Sequence, residues 1–339
     1  MDVGVILGNG LREAFGPTAA YFALLAIGLN VHYGYTGLAN FGQVGFSLVG
    51  SYGVGIVVAE LGWSLWAGVV VGLLAGIVLA LLLGFPTLRL RGDYFAIVTI
   101  AAAEILRLVV RSDYFVTLTE ANTPQGGPFG YGDLAFEFRE LNPFTSSLDI
   151  GSGIGLPTWN YPSSQLWSLT VTWSLVILVS LGVWLLMRSP WGRVIKAIRE
   201  DEDAVRSLGK NAFSYKMQSL VIGGVIGSLG GVMLAIQNSS VTDLSFQPIN
   251  TFFAYAVLLL GGTATRWGPA VGAMIFWFLF TGTTSLLAQL DDGFLPSFLT
   301  NTNGRGAVTL SAVGLVIMLL MIFRPQGLMG RKQELLLHE

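Results

Sequence analysis

Nine runs of mostly apolar residues, separated by polar breaks, dominate this chain. The hydrocarbon core of a bilayer takes roughly 20 residues of helix to cross, and backbone inside it must satisfy its own hydrogen bonds. Together these conditions favour an all-α fold: a polytopic transmembrane helical bundle of about nine spans, with eight to ten as the range. The runs lie near 14–34, 38–60, 64–86, 94–111, 166–187, 217–237, 251–265, 268–290 and 307–324. The stretch 251–265 is short enough for a half-helix or re-entrant piece, and 38–60 is Gly-rich enough to be irregular. Charged residues make up 11% of the chain against about a quarter in water-soluble domains, so a globular surface could not be covered. The reading is one transmembrane domain over 1–339.

Several chemistries are excluded by what is missing. With no cysteine there are no disulfides and no thiolate metal ligands, and two histidines, His32 and His338, do not make a His-based metal site. No nucleophile and base group together, so neither a catalytic nor a metal residue is assigned and the chain is not read as an enzyme. Before the first apolar run stand only Asp2, Arg12 and Glu13, with no basic region of the signal-peptide kind.

Lys and Arg placement sets the expected orientation. Strict alternation of the nine runs puts thirteen of the eighteen basic residues on one side: Arg89, Arg91, seven in 188–216, Arg266, Arg324, Arg331 and Lys332. The other side receives Arg12, Arg139 and Arg305. The expectation is a multi-pass protein of the cell (plasma or inner) membrane, with the C-terminus and the 188–216 island cytoplasmic. On the opposite face, 112–165 forms a 54-residue connection with one basic residue, six acids and five prolines. Long connections are commonly functional, and the aromatic content of this one fits an extracytoplasmic docking loop; a passive linker is the alternative.

Small residues every four positions permit close helix approach in lipid. Gly68, Gly72, Gly76, Ala80 and Gly84 form one such ridge; Gly223, Gly227 and Gly231, with Ser219 one step earlier, form another. Both are read as packing seams. Glu104 and Arg107 share a helix face at membrane depth, where a lone charge is costly. They line a substrate path or form a structural ion pair. Asn30, His32, Asn40 and Gln43 surround the Gly-rich break between the first two spans (Gly34, Gly37, Gly42), so that Asn30, Asn40 and Gln43 either line a path or cap a turn.

The island RSPWGRVIKAIREDEDAVRSLGKNAFSYK (188–216) stands apart from the apolar runs. Ser189-Pro190 is a helix start and Gly209 a helix end. Between them an apolar stripe runs beside Arg193, Lys196 and Arg199 and the acidic run Glu200 to Asp203. Mixed charge suits a protein partner better than anionic lipid; an ordinary solvated loop is the alternative. The segment DAVRSLG, Asp203 to Gly209, resembles the E-A-A-x3-G loop of ABC importer permeases. The stretches HYGYTGLANFGQVGF (32–46), LRLRGDYFAIVTIAAAEILRLV (88–109), GRVIKAIREDEDAVRSLGKNAFSYK (192–216), GGTATRWGPAVGA (261–273) and FRPQGLMG (323–330) are similar, in order, to LivM-type permeases of branched-chain amino acid importers. The chain departs from that family at Asn40-Phe41-Gly42-Gln43, where relatives often carry Ser-Leu-Gly-His.

The resemblance implies a permease whose 188–216 loop is a cytoplasmic coupling element docking on an ATPase. Arg193, Arg199, Glu202, Asp203, Ala204, Arg206 and Gly209 are then its coupling residues. It implies two cytoplasmic ABC ATPase subunits, a second homologous permease making a heterodimer, and an extracytoplasmic solute-binding protein, in membrane lipid and with no nucleic acid. The chain has no G-x-x-x-x-G-K-[ST] motif, since Gly209-Lys210-Asn211 has the wrong follow-on residue. ATP and Mg are accordingly expected on partners, and no cofactor on this chain. Leucine, isoleucine and valine are the implied substrates, with urea, short amides or other small solutes as alternatives. An ion-driven secondary transporter is the competing class, for which Glu104 is the one acid well inside a span.

Overall fold

The structure is a computed structural model that describes residues 2–90, 92–112, 115, 133–153, 155–156, 158–289, 302–324 and 326–330. Capping residues open the helices. Asp2 accepts from the backbone N–H of Gly4 and Val5 to start α1 (Val3–Ala14), and Pro17 begins α2 (Pro17–Leu29), where a missing N–H costs nothing. A π-helical turn, Asn30–Tyr35, prolongs α2 before the chain unwinds over 36–42. Then come α3 (Gln43–Gly55) with a second π turn at Ile56–Glu60, α4 (Leu65–Thr87) and α5 (Gly92–Arg111).

After α6 (Asp133–Glu140), two short strands, β1 (Leu148–Asp149) and β2 (Asn160–Tyr161), pair antiparallel with Leu148 opposite Tyr161. The remaining helices are α7 (Ser163–Arg188), α8 (Pro190–Glu200), α9 (Glu202–Ser207), α10 (Ala212–Asn238), α11 (Pro248–Gly261), α12 (Gly268–Gln289) and α13 (Thr302–Phe323).

A helix apolar on every side is either buried in protein or faces lipid, and one helix here is wholly of the first kind. That is α2, buried without a break from Ala19 to Leu29 and enclosed by α3, α7, α10, α11 and α12. The second central helix, α10, is clamped by α2, α3 and α4. Its approach depends on missing side chains. A β-carbon at Gly223 would lie 2.6 Å from the Gly28 carbonyl oxygen, one at Gly227 would lie 2.6 Å from Gln43 Nε2, and one at Gly231 would enter the Ser47 carbonyl. On α4, Gly68 fits against Val54 and Val58, Gly72 against the Gly50 carbonyl, Gly76 against Ser228 and Gly84 against Met217.

Among the described residues, six helices are long and apolar enough to cross a membrane, or seven when the α1–α2 pair, bent by 43°, counts as one span. The sequence-based figure of about nine includes two further segments. One is α5, which has 20 residues but carries Asp93, Glu104, Arg107 and Arg111. The other is α11, whose 14 residues reach about 21 Å at 1.5 Å per residue, against a hydrocarbon core of about 30 Å. The island also differs from the single helix expected. Asp201 is extended and splits it into α8 and α9, its carboxylate capping α9 through the N–H of Asp203 and Ala204.

Of the 112–165 connection, 113–114, 116–132, 154 and 157 lie outside the described residues, and so do Arg91, Arg331 and Lys332 from the orientation argument. The rest of the connection is tied to the bundle. Glu137 accepts from Leu65 N at 2.8 Å, Arg139 donates to Ser239 Oγ at 2.9 Å, and Trp167 donates to the Phe138 carbonyl at 2.8 Å. Tyr161, whose phenol burial pushes up in pKa, donates to the Arg12 carbonyl at 2.6 Å.

Neighbouring glycines on α10 should behave in opposite ways. Gly231→Ala drives a methyl into the Ser47 backbone and should prevent stable assembly, read as loss of a monodisperse peak in detergent. At Gly230 the nearest atom to an added β-carbon is 3.5 Å away, an ordinary contact. Gly230→Ala should therefore be neutral or stabilising by about 0.5–1 kcal/mol through helix propensity. Equal behaviour of the two variants would refute the seam.

Candidate functional site

The break between α2 and α3 is where the structure gathers its polar side chains. Asn40, Gln43 and His32 are fully buried there. His32 Nε2 faces the Leu220 carbonyl at 3.1 Å, which can only accept, so Nε2 carries the proton. Nδ1 then accepts from Asn40 Nδ2 at 3.0 Å; the Asn40 orientation is fixed because its Oδ1 accepts from Gly42 N at 2.9 Å. The second Asn40 amide hydrogen goes to Gln43 Oε1 at 3.3 Å, and Gln43 Nε2 donates to the Gly223 carbonyl at 3.1 Å. The loop is thereby sewn to the glycine ridge of α10 with a singly protonated, neutral imidazole in the middle.

Residues from other helices complete the node. Thr99 of α5 accepts from Phe41 N at 3.1 Å, Thr251 of α11 accepts from Val44 N at 3.2 Å, and Tyr255 donates to the Asn40 carbonyl at 3.0 Å. Asn30 sits one turn away and clamps the α11–α12 turn. It accepts from Ala264 N at 2.7 Å and donates to the Thr265 carbonyl at 3.0 Å, holding Ala264 at a left-handed φ of 55°. Asn40 and Gln43 thus act as ties within the break, and Asn30 as a tie to the α11–α12 turn, all three buried.

The island reaches the same break from outside. Arg199 Nη1 of α8 donates to the Gly34 carbonyl at 2.5 Å, and its side chain lies against Gly37, whose φ of 76° suits glycine. On α9, Glu202 pairs with Arg206 at 2.7 Å and with Lys216 at the start of α10. A cavity of about 230 Å³ opens between the break, the end of α4 and the island, lined by Gly37, Thr87, Phe95, Arg199, Glu202 and Lys216 among others. Asp203 is almost wholly exposed, Ala204 and Arg193 are exposed, and Gly209 ends the segment at a φ of 73° with open space around it.

Glu104 and Arg107 do pair, at 2.6 Å, and a third partner appears: Asp243, 2.9 Å from Arg107 and almost fully buried. Sequence reasoning missed Asp243, Thr251, Tyr255 and Lys216. A pairing across 136 residues leaves no local pattern, although the Thr242–Asp243–Leu244–Ser245 run resembles a cap. Beside the node lies a second, apolar cavity of about 340 Å³, lined by Tyr33, Phe41, Phe252, Tyr255, Leu259 and Ile317. Next to it α5 leaves Tyr94, Ile97, Ile105 and Leu108 exposed on one face. Among the described residues no group of three acids or histidines could hold a metal ion.

Comparison with known proteins places these features in a family. The model for the branched-chain amino acid transport system permease component matches residues 15–324. The high-affinity branched-chain amino acid transport permease LivM of Salmonella typhimurium is 28% identical over 316 residues, 91% of this chain and 67% of the relative. The probable LivM permease of Methanocaldococcus jannaschii is 24% identical over 92% of this chain and 91% of its own length. A nucleoside ABC transporter permease of Lactococcus lactis is 29% identical over 33% of this chain and 34% of the relative. No solved structure matches.

A polar atom buried without a partner costs about 1–3 kcal/mol. Gln43→Leu strands one Asn40 amide hydrogen and removes the side-chain bond to the Gly223 carbonyl, so its unfolding in detergent should shift down by about that amount. Wild-type stability in this variant would mean that the node carries no load.

Proposed function

The chain belongs to the branched-chain amino acid transport system permease family, and we propose that it is one of two homologous permease subunits of an ATP-driven importer of leucine, isoleucine and valine. Two cytoplasmic ABC ATPase subunits supply the energy, and an extracytoplasmic solute-binding protein delivers the substrate. The carrying observation is the grip of α8 on the broken helix. Arg199 holds the Gly34 carbonyl, and the same break is tied to α5, α10 and α11. A push on α8 and α9 therefore reaches the centre of the bundle through hydrogen bonds, without a flexible intermediate.

In this reading the 188–216 island is the cytoplasmic coupling element, with α9, including its exposed Asp203 and Ala204, and the flanking Arg193 and Gly209 facing the ATPase. ATP-driven closure of the ATPase pair displaces the island, and the helices joined by the glycine seams move as packed units between outward and inward states. Such a cycle requires each partner to bind one state better than the other. The substrate path runs along the apolar cavity and the exposed face of α5, where the second permease would supply the opposite wall. An aromatic and aliphatic lining suits branched aliphatic side chains better than urea or amides, which need hydrogen-bonding partners. The Glu104–Arg107–Asp243 cluster is read as a structural tie, since both acids engage the one arginine.

The test uses the complete transporter in proteoliposomes. Arg199→Ala removes a charge-assisted hydrogen bond, and ATP-driven leucine uptake should fall roughly tenfold or more while basal ATP hydrolysis persists. Charge reversal at Glu202, Asp203 and Arg206 should have the same signature. Fully coupled transport in both variants would reject the dock. Uptake by this subunit alone, driven by an ion gradient, would favour the secondary-transporter class.

A further inference from the structure

On the flank of the island away from α9, three cations converge, with no acid beside them among the described residues. Arg188 at the end of α7, Lys196 on α8 and Arg266 in the α11–α12 turn line a cavity of about 330 Å³ together with Tyr35, Trp184 and Trp267. The two guanidiniums share one indole: Arg188 lies 4.0 Å and Arg266 4.3 Å from the Trp184 ring, while Arg266 also lies 4.7 Å from Trp267. Lys196 sits 5.8 Å from the Tyr35 ring. None of the three cations makes an ion pair among the described residues, and Arg266 Nε is buried with no hydrogen-bond partner.

Three like charges around one pocket repel each other, and an anion placed among them would relieve that repulsion and satisfy the orphan N–H. Arginine forks match phosphate oxygens in geometry, and indole rings favour the level of the headgroups. The pocket is also continuous with an apolar track. On α7, Ile177, Leu181, Trp184 and Arg188 fall on one helical face, and Ile177 is 46% exposed with Leu178 beside it at 63%. A molecule with a phosphate head and acyl chains fits both parts; a free phosphate fits only the first.

We propose that Arg188, Lys196 and Arg266 form a binding site for the phosphate of an anionic glycerophospholipid, whose acyl chains run down the outer face of α7. The lipid would brace the α7–α8 corner against the α11–α12 turn that Asn30 clamps.

The experiment is lipid retention by the full chain in its complete transporter, measured by native mass spectrometry after exchange into mixed micelles. Each mobile basic residue near a membrane surface contributes about fivefold to binding of anionic lipid. Phosphatidylglycerol should be retained well above phosphatidylcholine. Arg188→Gln with Arg266→Gln should lower that retention roughly twentyfold, and Lys196→Gln, on the exposed face of α8, should lower it by about fivefold. Lys210→Gln, outside the pocket, should leave it unchanged. Should the double variant fail to assemble, the Lys196 and Lys210 variants carry the comparison. Equal retention of the two lipids, an equal loss in the Lys210 variant, or displacement of phosphatidylglycerol by millimolar inorganic phosphate would overturn the proposal, the last by identifying free phosphate as the ligand.

Discussion

Unwound backbone inside a membrane bundle is tolerable only if the protein replaces water at every exposed amide and carbonyl. Residues 36–42 impose that demand between α2 and α3, and much of the architecture answers it. Thr36 donates to the Val31 carbonyl at 2.8 Å, and Leu38 N donates to that of His32 at 2.8 Å. Asn40 takes up another from within the break, Thr99 and Tyr255 take up two more from distant helices, and Thr251 takes the Val44 N–H just beyond it. The glycine ridge of α10 exists in the same context. Gln43 can reach the Gly223 carbonyl only because neither Gly28 nor Gly227 has a side chain in the way.

Polar and apolar surfaces are consequently separated in an instructive manner. The amide-bearing residues that looked like path candidates are sealed inside the subunit, where they hold helices together. What faces outward near them is aromatic and aliphatic: Phe41 stacks on Tyr255 at 4.6 Å between ring centres, beside an open apolar cavity and the bare face of α5.

The apolar periods made the helical bundle legible, because hydrophobicity along a chain is a local property. The glycine seams were legible for the same reason: a spacing of four fixes a face whatever lies opposite. The start of α8 at Ser189-Pro190 and the left-handed Gly209 could be read from capping chemistry. The break at Asp201 was hidden in a run of four acids, any of which could have been a helical surface residue. Asp243, Thr251 and Lys216 were invisible because their roles exist only once distant segments meet. The span count differs from the number of apolar runs at α5 and α11, where charge and length weaken the purely compositional criterion.

The arginine of α8 holds a main-chain oxygen, not a side chain. Nothing encoded at position 34 can delete that oxygen, since every amino acid supplies one. A substitution at position 34 could weaken the contact only by displacing the backbone, since any β-carbon there runs into Asn30 Oδ1; the donor can be removed by side-chain chemistry alone. Compensating double changes, the usual fingerprint of touching residues, would be missing from this contact even in a deep collection of relatives.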